Sequence, residues 1–443
     1  MPWCRPLLRP MIKQTVIFRV KFAAAALALI LFAGACGLNL SVPLFLLVLY
    51  AYLKFSRASN ARTLYIVFLF AISFALCYFI LSQGWPIFYL PFCLIPMLAA
   101  LLFEGVEVPL VLTLSLSVSV GALAGSHFNL ALLMLISGIG SSILVTGARR
   151  RSCVIRAGFL IGIIQIISLL AIERFVITQP SRYAIIFSNS IVSSFLVLGA
   201  LPVFEYLFGT ATNISLLECA DFNHPLLQRM IMAAPGTYHH SLVVGNLSDA
   251  ASRAVGANGL LARIGAYYHD IGKIEKAEYF SENQSAEVSK HSTLSPSMSK
   301  MVIMHHVKVG VDLAKKHKLN PRLIDFIQQH HGKALVYYFY HRALEGLEED
   351  EEVREEGFRY PGPKPNSKET AIVLLADSVE AATRALREPD PAKIEEVAHK
   401  VINNKFIDGQ LDECDLTLRD LEKISKVFIH ILSGIYHSRI SYP

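Results

Sequence analysis

The sequence predicts an all-α protein, with a polytopic transmembrane helical bundle followed by a cytosolic, all-helical domain. Up to residue 210 there are four acidic residues and fourteen Lys or Arg, whereas the remainder has 31 acidic residues and 27 Lys or Arg. Long apolar runs fill the first part, but in the second part apolar residues recur every three or four positions without β-type alternation. We therefore predict a transmembrane region over 1–210 and a soluble domain over 211–443.

Eight apolar runs occur in the first part, and most have the roughly 20 residues that a bilayer core requires. They lie at about 20–36, 40–54, 64–82, 86–103, 106–125, 128–147, 157–173 and 184–208. Seven spans is the alternative, because only Gly37–Asn39 separate the first two runs, and a cleaved signal peptide is a further alternative for the first. Basic residues cluster before the first run, at 54–62 and at 149–156. These clusters share one side if the amino terminus is inside, which predicts a multi-pass protein of the inner (plasma) membrane with its C-terminal domain in the cytoplasm.

The few ionisable residues of the transmembrane region that adjoin its spans lie near span ends. The candidates for a role within the membrane are Glu173, Arg174, Glu205 and His127. Ion and proton pathways use ionisable groups inside the spans, so this placement favours packing and anchoring. It weakens the hypothesis of a transporter with a regulatory soluble domain.

Cysteine spacing and charge pattern exclude two further classes. The seven cysteines show no CxxC spacing, which argues against a disulfide framework and suits a cytosolic second half. No basic stripe interleaved with aromatic residues is present, so a nucleic acid polymer is not an expected partner. The soluble part is helical except for "EGLEEDEEVREEGFRYPGPKPNSKET", which predicts an exposed acidic and proline-rich excursion over about 345–369.

Histidine and aspartate residues give the strongest functional signal in the soluble domain. The set comprises His240, His269, Asp270, His306, His330, His331 and Asp377. Helical spacing places His306 on an apolar face and rotates His305 away from it. A single histidine on such a face is usually a hydrogen-bonded core residue, but burying this many unpaired polar groups would cost kilocalories per mole each.

Metal coordination would remove that cost. Imidazole and carboxylate ligands suit Fe, Mn, Zn or Co rather than Ca. Seven candidate ligands exceed the needs of one tetrahedral site. Two metals that share a bridging carboxylate fit the number better.

The motifs around these residues resemble a known family. "HDIGK" with flanking histidines is similar to the HD hydrolase superfamily of metal-dependent phosphohydrolases. A closer resemblance, to the HD domain of bacterial seven-transmembrane HD receptors, covers about Asn213 to Tyr436. It rests on "GTYHHSLVVGNLSDAAS", "GAYYHDIGKIEKAEYFSENQ", "HHVKVGVDLAKKHKL", "IQQHHG" and "LLADSVEAATR". Members of that family are cyclic-di-AMP phosphodiesterases, which implies a membrane-anchored signalling hydrolase that converts cyclic-di-AMP to linear pApA.

The resemblance also implies a site with two divalent metal ions, Fe or Mn, whose activated hydroxide attacks the phosphodiester. One ion would be held by His240, His269, Asp270 and Asp377. The other would be held by His306, His330 and His331, with Asp270 as the bridge and the adjacent His239 and His305 left out. Asp270 and Lys273 are the expected catalytic residues, and Lys273 would neutralise a non-bridging phosphate oxygen. His291 is a further substrate-binding candidate.

Two departures from the family pattern accompany this assignment. The family usually has a large extracellular domain after its first helix, where this chain has only Gly37–Asn39, so we expect it to sense differently. The family tends to show "NPHDxLSP" where this chain has "SKHSTLSP", a change that bears on substrate preference. The absence of GYP after "HHGK" counts against cyclic-di-GMP. The alternatives are a nucleotide-binding signalling receptor with little turnover and a phosphohydrolase for another (cyclic di)nucleotide, and a homodimer is left open.

Overall fold

The computed structural model describes residues 60–103, 105–124, 128–177, 179–284, 290–346 and 353–436. Within these ranges the ordered elements are helices, and the one β-type contact is an isolated bridge between Leu335 and Arg359. The all-α prediction is confirmed. The chain divides into two compact units, the first ending at Phe208 but including Thr212–Ile214, and the second made of Gly209–Ala211 and the residues from Ser215 onward.

The first unit consists of apolar helices. Its described helices are α1 (Asn60–Ser82), α2 (Leu94–Leu102), α3 (Glu107–Leu123), α4 (Phe128–Val145), α5 (Arg151–Ile172) and α6 (Pro180–Phe208). Four segments among the described residues are long and apolar enough to cross a membrane, namely Thr63–Ser82, Phe128–Val145, Arg151–Ile172 and Pro180–Phe208. The predicted runs at 20–36 and 40–54 lie outside the described residues.

The predicted span at 86–103 is not one continuous α-helix. A 3₁₀ turn over Ile87–Tyr89 is followed by the nine-residue helix α2. Pro86 and Pro91 account for the interruption, because proline lacks a backbone donor and disfavours helical dihedral angles in the residue before it. Four of the six predicted runs that lie in the described part form apolar helices of at least 18 residues, and the run at 106–125 forms the 17-residue helix α3.

A buried glutamine connects several helices of this unit. Gln165 on α5 is 2% exposed and donates hydrogen bonds to Ser137 Oγ on α4 (2.9 Å) and to Cys93 Sγ (3.3 Å). Its carboxamide oxygen accepts a hydrogen bond from Ser190 on α6. Hydrogen bonds of this kind hold helices together in a membrane, where lipid tails offer no polar partner.

The ionisable candidates of this unit have local partners. Glu173 lies 3.6 Å from Arg182 and accepts a hydrogen bond from Tyr183. Glu205 accepts one from the backbone N–H of Thr212 (2.8 Å). Both carboxylates thus act near helix ends, as packing and anchoring require, whereas His127 lies outside the described residues.

The second unit is a helical domain around one buried core. Its helices are α7 (Asn213–Cys219, which contains the division between the units), α8 (Pro225–Ala233), α9 (Pro235–Ala254), α10 (Gly259–Tyr268), α11 (Pro296–Lys316), α12 (Pro321–Gln329), α13 (Tyr337–Glu345), α14 (Lys368–Arg384), α15 (Pro391–Ile407) and α16 (Leu418–Ile435). Helix α14 is central, since each side chain from Ala371 to Ala376 is fully buried. Its start is fixed by a capping box between Ser367 and Thr370. Residues later on α14 are therefore carried into the interior.

In its described part, the predicted exposed excursion over 345–369 is mixed, since Pro361 and Pro363 are exposed whereas Pro365 is buried. Phe358 and Tyr360 are buried, and Tyr360 donates its backbone N–H to the carbonyl of Ala334 (3.0 Å). The Tyr360 ring also stacks on the His331 imidazole, with 4.3 Å between the centroids. Local sequence pattern does not predict the burial of these aromatic side chains, because they pack against a part of the chain outside the segment.

Candidate metal centre

The end of α10 places the central carboxylate of the site. The helix stops at Tyr268, whose buried ring is anchored by a hydrogen bond from its hydroxyl to the carbonyl of Cys219 (2.7 Å). Asp270 follows with φ −110° and ψ 15°, and its side chain is fully buried. At Gly272 a Cβ atom would overlap the carbonyl oxygen of His306, so glycine permits α11 to approach this turn. The turn and α11 are thereby held in direct contact.

The structure brings all seven predicted ligands together as two groups that share Asp270. In each group the candidate ligand atoms lie within 4.8 Å of one another. The first group is His240, His269, Asp270 and Asp377, and the second is Asp270, His306, His330 and His331. The exposed histidines His239 and His305 belong to neither group.

The two carboxylate oxygens of Asp270 face different groups. Oδ1 lies 3.3 Å from His306 Nε2 and 3.5 Å from His330 Nε2. Oδ2 lies 3.2 Å from His269 Nε2 and 3.8 Å from His240 Nε2. This is the geometry that a carboxylate needs in order to bridge two cations.

Four imidazoles are oriented by an acceptor at Nδ1, so that Nε2 faces the centre. His269 Nδ1 donates to the carbonyl of Ala266 (2.6 Å), and His306 Nδ1 donates to that of Ile303 (2.5 Å). His330 is held in the same way by backbone carbonyls of α12. His240 instead uses a carboxylate, since its Nδ1 is 2.5 Å from Glu380 Oε2. An acceptor at one ring nitrogen leaves the other nitrogen free to bind a metal.

The arrangement fits a pair of divalent cations. With metal–nitrogen bonds of about 2.0–2.1 Å, neighbouring ligand atoms on one ion lie about 3.0–3.4 Å apart. His306 Nε2 and His330 Nε2 are 3.2 Å apart, and His240 Nε2 and Asp377 Oδ1 are 3.0 Å apart. Asp270 Oδ2 has the ammonium of Lys273 as an ionic partner, but His269 Nε2 and Asp270 Oδ1 are buried without a well-oriented hydrogen bond. Such orphaned atoms cost free energy unless a cation satisfies them.

The charges of the side chains around the site also favour bound cations. Four largely buried carboxylates lie at or beside the site, those of Asp270, Asp377, Glu380 and Glu282. Among the described residues, two side-chain cations offset them: the Lys273 ammonium lies 2.6 Å from Asp270 Oδ2 and 2.8 Å from Glu282 Oε1, and Arg384 lies 3.5 Å from Glu380 Oε1. Buried charges require partners, so this excess of negative charge favours binding of cations.

The pKa values of the histidines differ with their surroundings. Burial lowers the pKa of His330, and burial together with the neighbouring His330 lowers that of His331 further. Both imidazoles are therefore kept neutral, which is the form that binds a metal. Burial alone would also lower the pKa of His240, but hydrogen bonds to Asp377 and Glu380 raise it. At that position a metal ion would take the place of a proton.

Two other predicted residues occupy different environments. Lys273 is beside the centre, as described above, and its ammonium also lies 5.0 Å from the centre of the Phe280 ring. His291 is buried outside both groups, where Nε2 donates to the carbonyl of Tyr279 (2.9 Å) and the ring packs on Phe339. Its contact with substrate stays a prediction.

Sequence reasoning missed the roles of Glu380 and Glu282. Glu380 does follow Asp377 by three residues, which is the spacing that places two side chains on one helix face. That signal was available, although it does not identify His240 as the partner. Glu282 has no such signal, since its contact with Lys273 depends on the path of the chain after the 3₁₀ segment Ile271–Tyr279.

Comparison with known proteins gives two family matches. A model described as "7TM receptor with intracellular HD hydrolase" matches residues 32–212, and an HD domain model matches residues 237–382. The second match contains all seven candidate ligands. Residues 213–236 lie between the two matches.

Among curated proteins, the chain is 42% identical over 323 residues to cyclic-di-AMP phosphodiesterase PgpH of Bacillus subtilis (strain 168), an alignment that covers 72% of this chain and 45% of that protein. It is 41% identical over 321 residues to the PgpH of Listeria monocytogenes serotype 1/2a (strain 10403S), covering 71% of this chain and 44% of that protein. The chain thus spans less than half the length of these relatives. A crystal structure of the L. monocytogenes PgpH HD domain in complex with cyclic-di-AMP is 45% identical, covers 48% of this chain and 99% of that chain, and has a TM-score of 0.47.

Proposed function

The chain belongs to the family of 7TM receptors with an intracellular HD hydrolase, and on this premise we propose that it is a membrane-anchored, metal-dependent phosphodiesterase. Its substrate is cyclic-di-AMP, and its product is the linear dinucleotide pApA. The names of relatives with 41% and 42% identity support the substrate. The observation that carries the chemistry is the carboxylate of Asp270, each oxygen of which faces a separate group of histidines.

Each ion would be held by three residues of its own and by Asp270, which would bind both ions. One ion would be held by His240, His269 and Asp377. The other would be held by His306, His330 and His331. When bound, two divalent cations, Fe or Mn, supply Lewis acidity to the phosphodiester and lower the pKa of water towards neutrality. The ammonium of Lys273 would neutralise a non-bridging phosphate oxygen. Cleavage of one phosphodiester bond at its 3′ oxygen opens the ring.

The first unit, which contains the apolar helices, would be the membrane unit that anchors the protein at the inner (plasma) membrane. The second unit, which contains the candidate metal centre, would lie in the cytoplasm. The four apolar helices and the family match support a membrane location. The domain boundary near residue 210 and a total of seven or eight spans are part of the same proposal. Homodimerisation is the remaining expectation, and the mass of the protein in detergent measured by light scattering tests it.

The direct test uses the full chain, purified in detergent and loaded with Mn²⁺. We expect it to convert cyclic-di-AMP to pApA, separated by chromatography, and to leave cyclic-di-GMP largely intact. Asp270→Asn should abolish turnover, because the amide cannot bridge two cations as a carboxylate does. Asp312→Asn, an exposed aspartate on α11, is the matched control and should remain active.

The same experiment distinguishes the phosphodiesterase from the alternative, a receptor that binds the nucleotide with little turnover. If metal-loaded wild-type protein binds cyclic-di-AMP but does not linearise it, the phosphodiesterase proposal fails and the receptor is favoured. If another cyclic dinucleotide is turned over faster, the substrate assignment fails while the enzyme class stands.

A further inference from the structure

Lys273 is held between two carboxylates, one of which lies outside the candidate metal centre. Its ammonium is 2.6 Å from Asp270 Oδ2 and 2.8 Å from Glu282 Oε1. An ammonium has three N–H donors and no acceptor. One N–H donates to Glu282 Oε1 and the ammonium forms a close ion pair with Asp270 Oδ2, which leaves a third N–H for a further partner such as a phosphate oxygen.

Glu282 is itself fixed by the start of α9. Thr237 Oγ1 donates to Glu282 Oε1 (3.1 Å), and Asn283 Nδ2 donates to Thr237 Oγ1 (2.8 Å). The backbone N–H of Thr237 in turn donates to Asn283 Oδ1 (3.1 Å). A Cβ atom at Gly236 would overlap the carbonyl oxygen of Glu282, so glycine allows this close approach. Thr237 precedes His240 by about one turn, and the network therefore ties Lys273 to a helix that carries a candidate ligand.

Cation binding would change the balance between the two carboxylates. The charge of Asp270 would be shared with the cations, and two dications close to an ammonium repel it. Glu282 is not in either candidate ligand group, so its charge stays available to the ammonium. With a side chain 7% exposed, it is also largely shielded from competition by water.

We infer that Glu282 is a positioning residue that holds the Lys273 ammonium beside Asp270 and directs its third N–H towards the phosphate. This inference rests on the proposed hydrolysis of a cyclic dinucleotide. Glu282 acts through Lys273 and touches neither the substrate nor the cations. Its effect must therefore disappear when Lys273 is absent.

The test is a double-mutant cycle on the full chain in detergent with Mn²⁺. Glu282→Gln keeps the size of the side chain but removes its charge, and we expect kcat for cyclic-di-AMP to fall about tenfold, the scale of one charged hydrogen bond. Lys273→Ala should lower kcat at least as much, and adding Glu282→Gln to it should cause no further loss. Glu278→Gln changes an exposed carboxylate of the same segment, paired with Lys290, and serves as the control.

Two readouts other than activity complete the cycle. Bound Mn²⁺, measured by equilibrium dialysis, should be unchanged in Glu282→Gln, and circular dichroism should show the variant folded at the assay temperature, since a loss of metal or of folding would make Glu282 a structural or ligand residue and overturn the inference. Wild-type activity in Glu282→Gln, or an equal loss in the Lys273→Ala background, would overturn it as well. If the wild type shows no turnover, the proposed function fails, and cyclic-di-AMP affinity measured over the same four proteins still decides whether Glu282 acts through Lys273.

Discussion

Replacing Glu380 by glutamine should weaken one metal position and leave the other intact. Glu380 Oε2 lies 2.5 Å from His240 Nδ1, and its side chain is 4% exposed. The carboxylate accepts the Nδ1 proton and so directs Nε2 of His240 at the first ligand group. A glutamine can turn its NH₂ group towards Nδ1, which favours the tautomer with a proton on Nε2, where the metal should bind.

The expected magnitude follows from that contact. Loss of a hydrogen-bond partner behind a metal-binding histidine typically lowers metal affinity by about 10–100-fold, or about 1.4–2.7 kcal/mol. The contact between His240 and Glu380 is buried and charge-assisted, which places it towards the upper end of that range. Glu380 contacts no member of the second group in the described structure, and Arg384, at 3.5 Å, is its other charged neighbour.

Equilibrium dialysis of the metal-depleted full chain against Mn²⁺ measures the effect. Wild-type protein should bind two ions per chain. Glu380→Gln should keep the wild-type affinity for the ion of the second ligand group and bind the ion of the first ligand group about 10–100-fold more weakly. Glu395→Gln is the control, since Glu395 also lies beside a histidine one turn away (His399 at 3.8 Å) but is exposed. Affinity within twofold of wild type, or an equal loss in the control, would refute the reasoning.

Three further outcomes are expected. Gly272→Ala should destabilise the protein by about 1–3 kcal/mol and reduce activity, because the new methyl group meets the backbone of His306, whereas Gly434→Ala has open space and should be neutral or stabilising in thermal unfolding. Gln165→Leu should lower the stability of the membrane unit in detergent by about 1 kcal/mol, while Ser168→Ala, which loses only a bond to its own helix backbone, should not. Chelation should lower the unfolding temperature of the second unit, and Mn²⁺ at about 100 times its dissociation constant should restore about 2.7 kcal/mol of unfolding free energy for each occupied site; an unchanged temperature would contradict a metal centre.

The apolar runs show how far local pattern predicts the membrane unit. Length and hydropathy are summed along the chain, so the long helices at Thr63–Ser82 and Pro180–Phe208 agree closely with the runs predicted at 64–82 and 184–208. The run at 86–103 had a sufficient apolar length but contains prolines that interrupt the helix. Hydropathy alone does not predict this interruption, because it does not include the effect of proline on the backbone.

The sequence by itself determined the all-α class and the set of seven His and Asp residues that the structure brings together. Both depend on local features, since helical spacing decides which of two adjacent histidines faces inward, and His306 is buried while His305 is exposed. Tertiary structure alone decided which oxygen of Asp270 faces which group. It also decided that Glu380 holds His240 and that Glu282 holds Lys273. These contacts join segments that are far apart in the sequence or connected by irregular turns. Helical periodicity therefore does not predict them, and they are set by how the helices pack.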